Sequence, residues 1–253
     1  MGLNFKQYGQ GEPLIILHGL LGSLDNWQTL AREFAKEYSV FTIDLRNHGR
    51  SFHNDIMDYP SLANDIAEFM NEHWIYNANV LGHSMGGKTA MQLALDFPEL
   101  VQKLIVVDIA PKVYVGGHQP LFDAMLNLDV NHLQSRSEAD LQLKSSIPND
   151  NIRLFLLKNL SRNKLGGYRW KSNLNAIVNN YSKILENIDG DIPSDIPTLF
   201  IKGGNSDYID DDEEIIKAYF SNAKIKIIEG AGHWVHAEKP KKLAQIVLDF
   251  LKE

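Results

Sequence analysis

Gly82-His83-Ser84-Met85-Gly86 follows a strand-like run, Ala78 to Leu81, and precedes a helix-like run, Lys88 to Phe97. This context decides the fold. A serine at a strand-to-helix elbow is held in a strained backbone conformation that lifts its hydroxyl out of the sheet. The flanking glycines are required because a Cβ at either place would collide with the neighbouring strand or helix. Helix N-terminal N–H groups lie behind the hydroxyl, ready to stabilise negative charge on a substrate oxygen. A Gly-x-Ser-x-Gly pentapeptide alone fits any Gly-rich turn. With the strand before it and the helix after it, Ser84 becomes a candidate nucleophile.

Upstream, Leu14-Ile15-Ile16-Leu17 reads as a buried parallel strand, and it ends in His18-Gly19-Leu20-Leu21-Gly22-Ser23. A loop at that place supplies one oxyanion-hole N–H, here from Leu20; the other comes from Met85, the residue after the serine. Downstream, Lys224 to Glu229 alternates and gives way to Gly230-Ala231-Gly232-His233-Trp234. His233, on a Gly-rich loop past a late strand, is placed to be a general base. Two aspartates compete to orient it. Asp207 follows Gly203-Gly204-Asn205-Ser206, the loop after a late strand; Asp108 ends the earlier strand Leu104-Ile105-Val106-Val107. Both strand ends open on the same rim, so either can reach the imidazole. The chain order serine, acid, histidine is that of the α/β-hydrolases.

The blocks His18 to Ser23, Asp44-Leu45-Arg46-Asn47-His48-Gly49-Arg50-Ser51, Gly82 to Lys88, Asp108-Ile109-Ala110-Pro111 and Gly230 to Pro240 together resemble the small bacterial YbfF-type esterases and their mitochondrial relatives. The likeness runs nearly end to end and is least diagnostic after Pro111. It implies an α/β-hydrolase fold and a serine carboxyl-ester hydrolase acting through an acyl-enzyme on short-to-medium acyl esters or acyl thioesters. It places the base at His233 rather than His236, and it favours Asp108 over Asp207 as the acid. No cofactor is implied.

The length of 253 residues fits one α/β domain with a modest insertion and can bury a large core without disulfides. The absence of cysteine removes thiol nucleophiles and Cys-ligated zinc. A net charge of −7 gives no electrostatic support for nucleic-acid binding. Met1 to Gln10 lacks the charged and apolar regions of a signal peptide, and no apolar run approaches the ~20 residues of a membrane span. The expectation is a soluble cytoplasmic protein without a membrane anchor, whose partner is a small molecule. The oligomeric state is not legible.

Alternating apolar runs and helical patterns predict a mostly parallel sheet covered on both faces. Strands are expected at Asn4–Tyr8, Leu14–Leu17, Val40–Asp44, Asn79–His83, Lys103–Asp108, Thr198–Lys202 and Lys224–Glu229. Helices are expected at Asn26–Lys36, Tyr59–Glu72, Gly86–Phe97, Glu213–Phe220 and Pro240–Leu251. The alternation breaks between Lys112 and Pro197, where helical patterns follow one another with no strong strand. Ile152, Phe155, Leu156 and Leu160 share one face; so do Leu174, Ile177, Val178, Tyr181 and Ile184. These residues can simply pack on the core, or they can form a helical cap over an acyl pocket. The expected division is a hydrolase core at 1–111 and 194–253 with a cap at 112–193. Substrate-binding candidates are His18, Gly19, Phe155, Tyr181 and Trp234.

Several other residues have a plain structural reading. His83 points to the opposite face of its strand from its neighbours and is expected to make a structural hydrogen bond. Asp44, Arg46, His48 and Arg50 are expected to brace loops, and Asp210 to Glu214 to solvate a helix start. Nothing in that acidic run has calcium-loop spacing, and no metal site is expected. Two rival functions stay open. Menaquinone-pathway lyases of the same fold carry a similar His-Gly-x-Leu-Gly-Ser loop and hold a dicarboxylate with arginines, which Arg46 and Arg50 could supply. A ligand-binding module that kept the fold and lost turnover would have no need of an activated serine.

Overall fold

The computed structural model describes residues 2–164, 166–190 and 193–253. Met1, at the start of the N-terminal reading, lies outside them; so do residues 165, 191 and 192 of the expected cap. Seven strands form one sheet: β1 (Phe5–Tyr8), β2 (Glu12–Leu17), β3 (Tyr38–Ile43), β4 (Ala78–His83), β5 (Val101–Val107), then, after the inserted segment, β8 (Thr198–Gly203) and β9 (Ala223–Ile228). Their order is β1-β3-β2-β4-β5-β8-β9. Only the β1–β3 pairing is antiparallel. The fold is that of an α/β hydrolase, with strand ends shifted from the expected ones by a residue or two.

Strand alternation builds two cores. On β2, Ile15 and Leu17 face one side with Leu62 and Ile66 of α2 (Tyr59–Glu72) and Leu93 of α3 (Met85–Asp96). Leu14 and Ile16 face the other, with Leu30 and Phe34 of α1 (Gln28–Phe34) and Val247 of α11 (Pro240–Lys252). All of these side chains are nearly fully buried; each stabilises the fold by about 1.5–3 kcal/mol relative to exposure. The helix expected from Asn26 begins as a 3-10 turn, Leu24–Trp27, and becomes α-helical at Gln28. α2 starts where Asp58 accepts the Ser61 N–H, with Pro60 in the first turn, where no N–H is missed.

The inserted segment carries α4 (Gln119–Asn127), α5 (Arg136–Leu143), α6 (Asp150–Leu157), α7 (Leu174–Asn179) and α8 (Tyr181–Leu185). The purely helical expectation is corrected here. A short antiparallel pair, β6 (Leu160–Arg162) and β7 (Tyr168–Trp170), separates α6 from α7. Leu160 therefore belongs to a strand rather than to the α6 face. Three-residue strands are too short to show a period of two, so sequence periodicity misses them. The face from Leu174 to Ile184 is divided between two helices at Asn180, whose side chain accepts the Met57 N–H and donates to Asp55 O. Helix α9 (Glu213–Tyr219) and the short α10 (Val235–Glu238) complete the chain.

Because six strands run parallel, the residues that follow their carboxyl ends share one rim. His18, Asp44, Ser84, Asp108, Ser206 and His233 all lie just past such ends. The register continues beyond the strands: Ser84 N–H donates to Val107 O at 3.0 Å and Asp108 N–H to Ile201 O at 2.9 Å.

Candidate active site

Ser84 is half-buried and adopts φ 53°, ψ −121°. That conformation costs a non-glycine residue about 1–3 kcal/mol and persists because the elbow over-determines it. The over-determination comes from close packing. A Cβ on Gly86 would lie 2.5 Å from the carbonyl oxygens of both Leu17 and His18, so only glycine lets β2 and α3 pass this closely. A Cβ on Gly19 would meet His83 Nδ1 at 2.9 Å, which holds the loop after β2 against the elbow.

His233 Nε2 is 3.0 Å from Ser84 Oγ, and His233 Nδ1 is 2.8 Å from Asp108 Oδ2. A carboxylate only accepts, so Nδ1–H donates to Asp108 and the bare Nε2 accepts from the serine hydroxyl. Asp108 is fully buried and takes φ 54°. Its Oδ1 accepts the Gly203 N–H at 2.7 Å, and its Oδ2 also accepts the Ser206 hydroxyl. Asp207, by contrast, is exposed on the rim of the cavity and makes no hydrogen bond to His233 among the described contacts.

Sequence reading missed Tyr208. Its ring lies parallel to the His233 imidazole at 3.6 Å between centroids and 17° between planes. Tyr114 holds it there: the Tyr114 hydroxyl donates to Tyr208 O at 2.6 Å and accepts the Ala110 N–H at 2.8 Å. No motif flags an aromatic two residues beyond Ser206; only the fold brings it to the imidazole. His83 holds the backbone of the same residue: its Nε2–H donates to His233 O at 2.8 Å. His83 is buried, and desolvation holds its pKa well below the usual histidine value, so it is a neutral brace under the loop.

The loop after β2 is fixed by two more buried histidines. Leu45 N–H donates to His18 Nε2 at 3.1 Å, so His18 carries its proton on Nδ1 and donates to Gly19 O at 2.8 Å. Leu21 N–H donates to His48 Nε2 at 3.1 Å, and His48 Nδ1–H donates to Arg46 O at 3.0 Å. Neither the Leu20 nor the Met85 backbone N–H has a partner among the described hydrogen bonds, and both residues line the cavity beside Ser84.

That cavity is about 630 Å³ and mostly apolar. His18, Gly19, Leu20 and Met85 from the core line it, with Phe155, Tyr181, Ile184 and Leu121 from the inserted segment and Trp234 from the loop after β9. His18 offers it no free ring nitrogen. Tyr181 spends its hydroxyl on the Gly117 N–H and on His118 Nδ1, 2.6 Å away, so it meets the cavity mainly as an aromatic wall. Phe155 and Trp234 pack at 5.8 Å between centroids.

A family model describing the alpha/beta hydrolase fold matches residues 12–240. The chain belongs to this family. It is 41% identical over 250 residues to a putative esterase/lipase of Haemophilus influenzae, covering 98% of this chain and 86% of that protein. It is 34% identical to the esterase YbfF of Escherichia coli, covering 95% of this chain and 93% of that one. Among solved structures, a marine microorganism esterase superposes with a TM-score of 0.96 at 46% identity, covering 98% of this chain and 99% of that one. Esterase- and lipase-named relatives of this kind support a hydrolase.

In this α/β-hydrolase the polar cluster after β3 is turned inward. Asp44 accepts Leu24 N–H at 2.8 Å, Asn4 Nδ2 at 2.7 Å and Arg50 N–H at 2.9 Å, tying three segments together. Arg46 forms a bidentate pair with Asp65, both contacts at 2.6 Å, and donates to Ile56 O and Ser61 O. Arg50 is exposed, and neither arginine lines the cavity; the clamp that a dicarboxylate lyase would need is not assembled from them. Asp212, in the acidic run, pairs with Lys112 at 2.6 Å. Among the described residues no cluster of His, Cys, Asp or Glu is arranged to hold a metal, and no helix is long and apolar enough to cross a membrane.

The Arg46–Asp65 pair predicts a stability effect. Side chains of both are at least nine-tenths buried. Replacing Arg46 by Met leaves a buried carboxylate unpaired, which costs about 3–5 kcal/mol. Urea unfolding should show that loss. An unchanged midpoint would mean that Asp65 simply takes up a proton at no cost.

Lys88, quoted in the sequence only as the end of a motif, is another group whose role appears in three dimensions. It is almost wholly buried, and its Nζ donates to Lys112 O at 2.7 Å and Glu186 O at 2.5 Å. Burial, with Lys112 nearby, lowers its pKa to about 7. One turn along α3, Gln92 exchanges hydrogen bonds with the Asp189 backbone, each 2.9 Å. One face of α3 thus holds both ends of the inserted segment.

The buried histidines make folding stability pH-dependent. Desolvation lowers His18 to about 4 and His48 and His236 to about 3. Their folded pKa lies below the unfolded value, so the unfolded chain binds more protons as pH falls. Stability is full above about pH 6.5 and declines below it, by about 1.4 kcal/mol per pH unit per histidine, until each folded pKa is reached. Lowering the pH from 7 to 5 should therefore cut stability by about 2 kcal/mol for each of the three. Urea midpoints measured at pH 7, 6 and 5 read this directly, and equal midpoints would exclude it.

Proposed function

We propose that the protein is a serine carboxyl-ester hydrolase. The observation that carries the reading is the continuous hydrogen-bonded line from Ser84 through His233 to Asp108 at the floor of an apolar cavity. In this reading Ser84 Oγ attacks the acyl carbonyl as His233 Nε2 takes its proton. The Leu20 and Met85 N–H groups receive the oxyanion, which is the largest single source of rate in such sites. His233 returns the proton to the leaving alcohol, and water enters by the same route to cleave the acyl-enzyme. Asp108 orients the imidazole and stabilises its cation. Tyr208, stacked on the ring, keeps it from rotating away and shields it from water.

Residues 112–193 act as a cap in this scheme, because Phe155, Tyr181 and Ile184 wall the cavity that holds Ser84. The apolar wall suits an acyl chain, on an ester or a thioester. Hydrolysis of p-nitrophenyl esters across acyl lengths tests the proposal, and no turnover at any length would overturn it. Removing a wall residue should move the optimum: Phe155→Ala is expected to raise kcat/KM about tenfold for acyl chains two to four carbons longer than the wild-type optimum, since one or two methylenes are worth about 1–3 kcal/mol. An unchanged optimum would place Phe155 outside the acyl path.

A further inference from the structure

The loop after β2 makes a tight turn, closed where Gly22 N–H donates to Gly19 O at 3.0 Å. Leu20 and Leu21 are its central residues, and Leu21 takes φ 56°. That place in a turn favours glycine or asparagine, because positive φ crowds a Cβ. Leu21 instead brings a side chain that packs in the core, only 2% exposed. Its strained backbone therefore has to be held by its surroundings. The turn lies against the nucleophile: a Cβ on Gly19 would come 3.3 Å from Ser84 Cβ.

Three side chains hold the turn. Gly19 O accepts His18 Nδ1–H at 2.8 Å as well as the Gly22 N–H. A trans peptide points its C=O and N–H opposite ways, so these bonds aim the Leu20 N–H away from both donors. Leu21 N–H donates to His48 Nε2 at 3.1 Å. Leu21 O accepts from Asn159 Nδ2 at 2.5 Å. His18 and His48 belong to the core, but Asn159 comes from the inserted segment, directly after α6. It is 2% exposed, and its own backbone is fixed: its N–H donates to Leu156 O at 2.9 Å, and its carbonyl accepts the Lys171 N–H at 2.8 Å. The core thus holds the N–H of Leu21 and the inserted segment holds its C=O.

We infer that Asn159 is a positioning residue for the oxyanion hole: by holding Leu21 O it keeps the turn that carries the Leu20 N–H in shape, so the inserted segment completes the hole as well as walling the cavity. This rests on the esterase reading above. Without the Asn159 amide, Leu21 can relax toward negative φ, which opens the Gly22–Gly19 bond and turns the Leu20 N–H off its line. A donor to the oxyanion matters most as charge develops on that oxygen, so the loss falls on the transition state and not on substrate binding.

The inserted segment stays seated without this contact, because Lys88 holds Lys112 O and Glu186 O, and Asn173 N–H donates to Asn47 O at 2.9 Å. Asn159→Leu removes the donor at similar volume. On p-nitrophenyl acetate, whose short acyl group makes least use of the apolar wall, kcat per fluorophosphonate-titrated site is expected to fall about 10- to 100-fold, with KM within about threefold of wild type. The inhibitor 1,1,1-trifluoro-2-butanone bonds its carbonyl carbon to Ser84 Oγ, the serine proton passes to His233, and the carbonyl oxygen is left as an oxyanion. Its inhibition constant should rise by the same factor. A merely structural loss would lower the urea midpoint and the titrated fraction while leaving kcat per site and the ketone constant alone. Unchanged kcat per site, or a loss carried by KM with the ketone constant unmoved, overturns the inference. Asn159→Ala removes the donor without adding bulk and is read in the same way if the leucine variant does not fold. Failure of the esterase reading itself looks different: the wild type turns over no ester, and the inference falls with it.

Discussion

Asp108→Asn is expected to lower turnover of an aryl ester by up to about 10⁴-fold while the protein stays folded. The asparagine can present its NH₂ or its oxygen to His233 Nδ1, and the NH₂ would force the proton onto Nε2, the nitrogen that must accept from Ser84. The surroundings favour that wrong choice. Gly203 N–H donates to Oδ1, whereas Oδ2 receives both the Ser206 hydroxyl and the His233 Nδ1–H. Putting the amide nitrogen toward Gly203 would set two donors against each other, so the nitrogen is driven to the histidine side. Ser206 can rotate its hydroxyl to accept, which keeps the fold intact. Asp207→Asn should cost less than threefold, because that side chain is exposed and bonds nothing at the imidazole. Both variants measured on one p-nitrophenyl ester decide the matter. Near-normal turnover in Asp108→Asn beside a crippled Asp207→Asn would assign the acid to the loop after β8 and require that loop to rearrange in solution.

Ser84→Ala carries the second large effect, a loss of about 10³-fold or more in kcat, leaving what the oxyanion hole and binding supply. The fold should survive. The serine side chain is half-buried, and its hydroxyl bonds only His233 among the described contacts. The strained backbone is imposed by Gly86 packing on β2, not by the hydroxyl, and alanine carries the same Cβ. A fluorophosphonate should label the wild-type chain once and the Ser84→Ala chain not at all. Equal labelling of both would remove Ser84 from the nucleophile role.

The strands and the elbow were legible without coordinates because both are local. A run such as Leu14 to Leu17 buries both faces of a strand wherever it is found, and a Gly-x-Ser-x-Gly turn between a strand and a helix has few ways to close. His233 could be placed for the same reason, since a Gly-rich loop past a late parallel strand must open on the rim that holds Ser84. Where local patterning was too short, reading failed. The three-residue strands β6 and β7 carry no period, and the break at Asn180 is made by side-chain bonds to Met57 and Asp55 more than 120 positions away.

Choosing between Asp108 and Asp207 was beyond the residues alone, because both follow parallel strands and both are acids on the same rim. The difference lies in burial and aim. The left-handed backbone at Asp108 turns its carboxylate toward Gly203, Ser206 and His233, while Asp207 faces solvent. Tyr208 on the imidazole and Lys88 between the two ends of the inserted segment belong to the same class. Each is ordinary in its own stretch of sequence and gains its meaning from a partner about 25 to 100 positions distant. Sequence determined which elements form and where their polar ends gather, because periodicity and turn chemistry act over a few residues. Tertiary structure decided which of those polar ends meet, because that depends on strand register and on desolvation, and neither exists until the sheet has assembled.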